Sequence, residues 1–185
     1  IEGIPELGES GGAVALFRTD LRPVEESELR GFLDLMRWNR EELMGLVEPL
    51  PEYAIVAIPI PGKRSIERTL RHIANAEEWD ISRMGASVQR RYEDYLRELR
   101  GGKRRLGSLE RLRTIREGAA RTLLAAFPEK CFGTFKRAAY TKYPEELWTL
   151  RKVLRRFVEH EREHIGTITG VIEALMSSSR RGSEA

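Results

Sequence analysis

The chain holds three histidines, His72, His160 and His164. His160 and His164 lie four apart in the segment HEREH. An α-helix turns about 100° per residue, so such positions are only about 40° apart on one face, and both imidazoles can reach one ion. On a helical wheel Leu150, Val153, Phe157, Ile168, Val171, Ile172 and Leu175 form an apolar arc, with His164 inside it and His160 at its edge. Arg151, Lys152, Arg155, Glu159 and Arg162 fall on the opposite side. His72, in SIERTLRHIANAEEW, brings a third imidazole from another helix. Three imidazoles from two helices are the ligand set of an open metal site, with remaining positions left to water or substrate. The alternative is a set of boundary histidines bonded to backbone or water. His72 favours that alternative, because it sits off the stripe of Ile66, Leu70, Ile73, Ile81 and Met84. It faces inward only if its helix buries a broad face that includes Trp79.

HEREH also fits the H-E-x-x-H pattern of zinc proteases. The longer protease forms fail, because Thr167 and Gly170 stand where a Gly and a third His are needed. Neither Glu173, close by on the same helix, nor Glu184, in the tail, offers a well-placed downstream ligand. Glu161 falls about 100° from His160, near the middle of the apolar arc. A carboxylate there costs free energy unless it is paired or liganded. Two roles fit: a general base or ligand-orienting group beside a metal, which makes Glu161 the candidate catalytic residue, or an ion pair with an Arg of a neighbouring helix.

These residues sit in a chain of 185 residues and 21.3 kDa, enough for one domain with a short appendage. Apolar residues are 41%, charged residues 33%, and mean hydropathy is −0.45, which excludes wholesale disorder. No apolar run approaches the length of a membrane helix. The acidic start IEGIPELGES lacks the order of a secretion signal, and the absence of an initial Met reads as a processed chain or a piece of a longer one. The single cysteine, Cys131, excludes a disulfide framework and any multi-cysteine metal site, so a reducing, cytoplasmic setting is the default expectation. Net charge is only +3, and most Arg have a carboxylate nearby, which argues against nucleic acid as a partner.

The spacing of apolar residues predicts four long amphipathic helices. The first covers Val24–Val47 and is stopped by Pro49 and Pro51. Residues 49–64 hold four prolines and form a stiff connection. Ser65 caps a second helix running to about Gly85. A third region, Val88–Phe127, breaks at Gly101–Gly107, with Ser108 as a new cap. After an irregular or briefly paired stretch from Pro128 to Tyr143, Pro144 is placed to open a final helix ending near Met176. Residues 1–22 carry no helical period, and Ala13–Arg18 suits a short strand. The expected organisation is an appendage (1–22), an all-α four-helix bundle with long crossover connections (23–176) and a disordered tail (177–185).

RSIERTLRHIANAEEWDISRM (64–84) and LWTLRKVLRRFVEHEREHIGTI (147–168) resemble the DinB-like superfamily of bacterial four-helix-bundle proteins. They hold its three-His pattern, one His from the second helix and two from the last, and the resemblance extends over residues 24–176. It implies His72, His160 and His164 as ligands of a divalent metal, nickel or zinc among others. It further implies thiol-dependent S-transfer with a low-molecular-weight thiol, or metal-dependent hydrolysis, on a small-molecule substrate, and often a homodimer.

Other features read more plainly. GGKRRLG (101–107) lacks the preceding strand and the Lys-Ser/Thr ending of a phosphate loop, and reads as a solvated turn. The cations of RKVLRR (151–156) read as a solvent face. Trp38, Trp79 and Trp148 read as core or interface aromatics. Two functions stand: a three-His metalloenzyme, and a non-catalytic bundle that dimerises or binds a partner.

Overall fold

A computed structural model describes residues 15–183 of the chain. A 3-10 turn, Arg18–Leu21, precedes α1 (Glu26–Val47), α2 (Glu52–Val56), α3 (Ile66–Arg83), α4 (Ala86–Arg100), α5 (Ser108–Lys130) and α6 (Leu150–Ser183). The described residues are all-helical, with one isolated antiparallel bridge, Phe135 to Trp148. No helix among them is long and apolar enough to cross a membrane.

Helices α1, α3, α5 and α6 form a four-helix bundle, with α6 between α1 and α3, and α4 packed against α5. The core joins Met36 and Leu43 of α1, Leu70 and Ile73 of α3, Ile115 and Leu123 of α5, and Val153, Phe157 and Ile168 of α6. Cross-bonds fix the directions. Arg151 pairs with Glu28, and Arg162 with Glu42, so α1 and α6 run parallel. Trp79 stacks on Trp148 while His72 meets His160, so α3 runs antiparallel to α6.

Local chemistry explains the breaks. The Ser65 hydroxyl accepts from the Arg68 N–H at 3.3 Å and starts α3. Gly101 closes α4 in the left-handed region at φ 53°, where a side chain would be strained. The final helix begins at Leu150 rather than Pro144, because Thr149 Oγ1 accepts from the Lys152 N–H at 3.0 Å and Trp148 is tied into the bridge. Pro128 does not end α5, which continues to Lys130; so near a C-terminus, proline disturbs few carbonyls. Helix α6 continues past Met176 to Ser183, since a hydrogen-bonded ladder propagates without apolar contacts.

Two expectations about surfaces are corrected. Residues 15–17 form no strand, and the remainder of the appendage, residues 1–14, lies outside the described residues. Instead Ala15 and Asp20 are buried, and the Asp20 carboxylate accepts from Arg155 Nε at 3.1 Å and Nη2 at 2.8 Å. The cations of 151–156 are therefore no free solvent face. Lys152 is fully buried, held by Glu146 at 2.9 Å and lying 4.2 Å over the Trp148 ring. The wheel misplaced them because segments outside the helices cover that side of α6. Of the tryptophans, Trp148 is core, Trp79 is half-buried and Trp38 is 55% exposed.

Candidate metal centre

His72 stands in the second turn of α3, and His160 and His164 in the middle of α6. The antiparallel packing of α3 on α6 brings the three rings together. His160 Nε2 lies 3.1 Å from His72 Nε2 and 3.1 Å from His164 Nε2. Ring centroids are 4.4–4.9 Å apart, and every pair is edge-on. One nitrogen from each ring lies within 4.8 Å of the others. The off-stripe position of His72 is resolved by α3 itself. Its Ile66–Leu70–Ile73 side faces the core while its other side packs on α6, so the helix buries a broad face. His72 ends half-buried, as does Trp79 two turns further along α3.

The donor set suits a cation. Zinc–imidazole bonds of about 2.0–2.1 Å put ligand nitrogens roughly 3–3.4 Å apart, and the observed 3.1 Å falls within that range. Burial drives His160 down to about 3, with His164 and His72 adding to the effect, and His164 down to about 4, with His72 adding to it. Burial also lowers His72, reinforced by Arg64 and opposed by Glu163. All three rings are thus neutral at pH 7, the ligating form. A ring proton can bridge each 3.1 Å contact, and a cation placed among the three Nε2 atoms can take the place of those protons. His164 Nδ1, buried without a hydrogen-bond partner, then carries the ring proton.

Glu161 faces elsewhere. Its carboxylate accepts from Arg40 Nε at 2.6 Å and Arg116 Nη2 at 2.7 Å. Arg116 also donates to Glu77 Oε1 at 2.6 Å, and Arg40 to Glu77 as well. The remaining guanidinium donors reach Leu112 O and Met36 O. This buried quartet, two Arg and two Glu, ties α1, α3, α5 and α6 at one level. Burial pushes the Glu77 carboxyl up, but Arg116 and Arg40 outweigh it and hold it below the usual range. Of the two roles open to Glu161, the ion pair is the one formed; both oxygens are engaged by guanidinium groups. Sequence reading missed Arg40, Glu77 and Arg116. The available signal was a charged residue inside an apolar stripe: Arg40 between Met36 and Leu43, Glu77 between Ile73 and Ile81.

The comparisons place this geometry among known proteins. No curated protein matches the chain in sequence. The chain is similar in structure to YfiT from Bacillus subtilis, described as a probable metal-dependent hydrolase with an unusual four-helix bundle topology. The TM-score is 0.56 at 16% identity, over 82% of this chain and 90% of that one, a likeness of fold. The model of the DinB superfamily matches residues 35–168, which include all three histidines and the quartet. The chain belongs to the DinB superfamily.

Proposed function

We propose that the chain is a metal-dependent enzyme in which His72, His160 and His164 hold one divalent cation, nickel or zinc, and which acts on a small-molecule substrate. The convergence of three neutral rings, with His160 Nε2 at 3.1 Å from both other Nε2 atoms, carries this reading. A divalent metal, when bound, would supply Lewis acidity and lower the pKa of a protic nucleophile delivered to it. The protein's part is to present three uncharged donors, which leave the cation's charge unneutralised. Arg64 and Arg156 add positive potential felt by His160 and His164. The quartet fixes the roll of α6, and with it the aim of His160.

The nucleophile divides two reactions. Hydrolysis draws support from the name given to YfiT. S-transfer with a low-molecular-weight thiol draws support from Glu161, whose carboxylate is engaged by two guanidinium groups rather than facing the histidines. A thiol, with its pKa near 8.5, needs less help than water to ionise. A homodimer is proposed with this reading on family resemblance, and a cytoplasmic setting on the single cysteine.

Metal analysis of untagged protein tests the proposal. About one equivalent of nickel or zinc is expected, either as purified or after loading. Less than about a tenth of an equivalent after loading with either ion overturns it. Loaded protein assayed on activated esters, with and without added thiol, then separates hydrolysis from S-transfer.

A further inference from the structure

A cavity of about 560 Å³ opens between α4, the turn that follows it and α3. That size falls in the range of small-molecule sites. Its wall includes Tyr92 and Gln89 of α4, and its rim includes Arg100, Gly102 and Arg104. Glu78, its contribution from α3, lies six positions from His72, about 240° around the helix, so the cavity belongs to a different side of the bundle.

Two buried polar atoms in this wall have no partner. Tyr92 is 2% exposed, and its hydroxyl makes no hydrogen bond. The Gln89 amide donates to Glu93 at 2.7 Å, which leaves its buried Oε1 unpartnered. A buried polar atom is costly unless something satisfies it. The surrounding charges are unequal. Glu78 is engaged by Arg111, Lys103 by Glu110 and Arg97 by Asp94. Among the described residues, the side chains of Arg100 and Arg104 form no hydrogen bond or ion pair. An unpartnered hydroxyl and an unpartnered carbonyl thus lie just beneath the wall, and two unspent cations stand at its rim.

The geometry points to a second ligand site, in which this cavity takes a small hydroxylated anion: Arg100 and Arg104 hold the phosphate or carboxylate, and the side chains of Tyr92 and Gln89 turn into the cavity, the hydroxyl donating to the anion and Oε1 accepting from a ligand hydroxyl. The glycine-rich turn that lacks a phosphate-loop signature contributes through its side-chain cations and its sharp path; Gly101 and Gly102 have φ of 53° and 81°.

Calorimetric titration of the full chain at constant ionic strength tests this, with glycerol 3-phosphate, gluconate, inorganic phosphate and glycerol as probes. Saturable binding at one site is expected for glycerol 3-phosphate or gluconate, and which of the two binds tighter assigns phosphate or carboxylate. Inorganic phosphate should bind more weakly and glycerol not at all. The double variant Arg100→Gln, Arg104→Gln should weaken binding at least about tenfold. Tyr92→Phe should weaken it several-fold without loss of thermal stability, because the hydroxyl has no partner in the protein. No saturable binding of either hydroxylated anion, or equal affinity in the wild type and the double variant, overturns the site.

Discussion

Glu161 follows His160 directly, yet the two side chains leave α6 on different sides. His160 meets His72 at 3.1 Å, while Glu161 meets Arg116 at 2.7 Å and Arg40 at 2.6 Å. One helix thus carries a ring into the histidine cluster and, a residue later, a carboxylate into the quartet. Buried ion pairs gain little over apolar packing, but removing one partner strands the others. Their use here is orientation: four charges that satisfy one another in one register only.

Glu161→Gln tests that role. The amide cannot neutralise Arg40 and Arg116, so the variant should lose about 3 kcal/mol of stability in urea unfolding. At low temperature, where it remains folded, it should still take up metal. A variant within about 0.5 kcal/mol of wild type that has lost activity would restore the base role instead.

His160 Nε2 lies 3.1 Å from both other Nε2 atoms, so His160→Ala should remove metal binding. With metal at 100 times its Kd, wild type should gain about 2.7 kcal/mol of stability, and the variant nothing. Thermal unfolding with and without added Ni²⁺ or Zn²⁺ measures the difference. Equal stabilisation of both proteins would place the metal elsewhere.

The four bundle helices were legible in the sequence because each buries one continuous apolar stripe, and 3.6-residue periodicity reports such stripes directly. The i,i+4 pair His160 and His164 was legible for the same reason. His72 was less so, since its placement depends on which neighbour packs against the second side of α3. Lys152 and Arg155 were misplaced because the segments that cover them, Glu146–Trp148 and Ala15–Asp20, lie outside any periodic pattern. The quartet needed partners from four helices at one level, a coincidence that no single helical wheel contains.

Arg83 organises the long α5–α6 connection. It is 1% exposed, and its guanidinium donates to Arg137 O at 3.0 Å and to Ala139 O. Arg137 returns a bond to Ser82 O at 2.7 Å, and Trp79 Nε1 donates to Tyr140 O at 2.7 Å. Arg83→Met keeps the bulk of the stem and removes these donors, so the connection loses two of its ties to α3. Limited proteolysis should then cut within residues 131–149 faster than in wild type, while metal uptake is retained. Unchanged cleavage would mean that the bridge at Phe135 and Trp148 holds the connection alone.

Asp80 makes stability depend on pH. It is 4% exposed, and burial raises its carboxyl to about 7, a shift that Arg156 opposes and Glu77 reinforces. Arg83 and Lys152 also lower it, without cancelling the burial. A carboxyl with a raised folded pKa binds more protons folded than unfolded between about pH 4 and 7, so stability falls as pH rises through that window and levels off above it. The loss is of order 4 kcal/mol for a shift of this size. Asp80→Asn mimics the protonated form. It should match wild type only at about pH 4 and below, and exceed it by a few kcal/mol at pH 8, as read from urea midpoints at the two values. Equal stability at both pH values would show that Asp80 is charged at neutral pH, its burial cost met by Arg156 and Lys152.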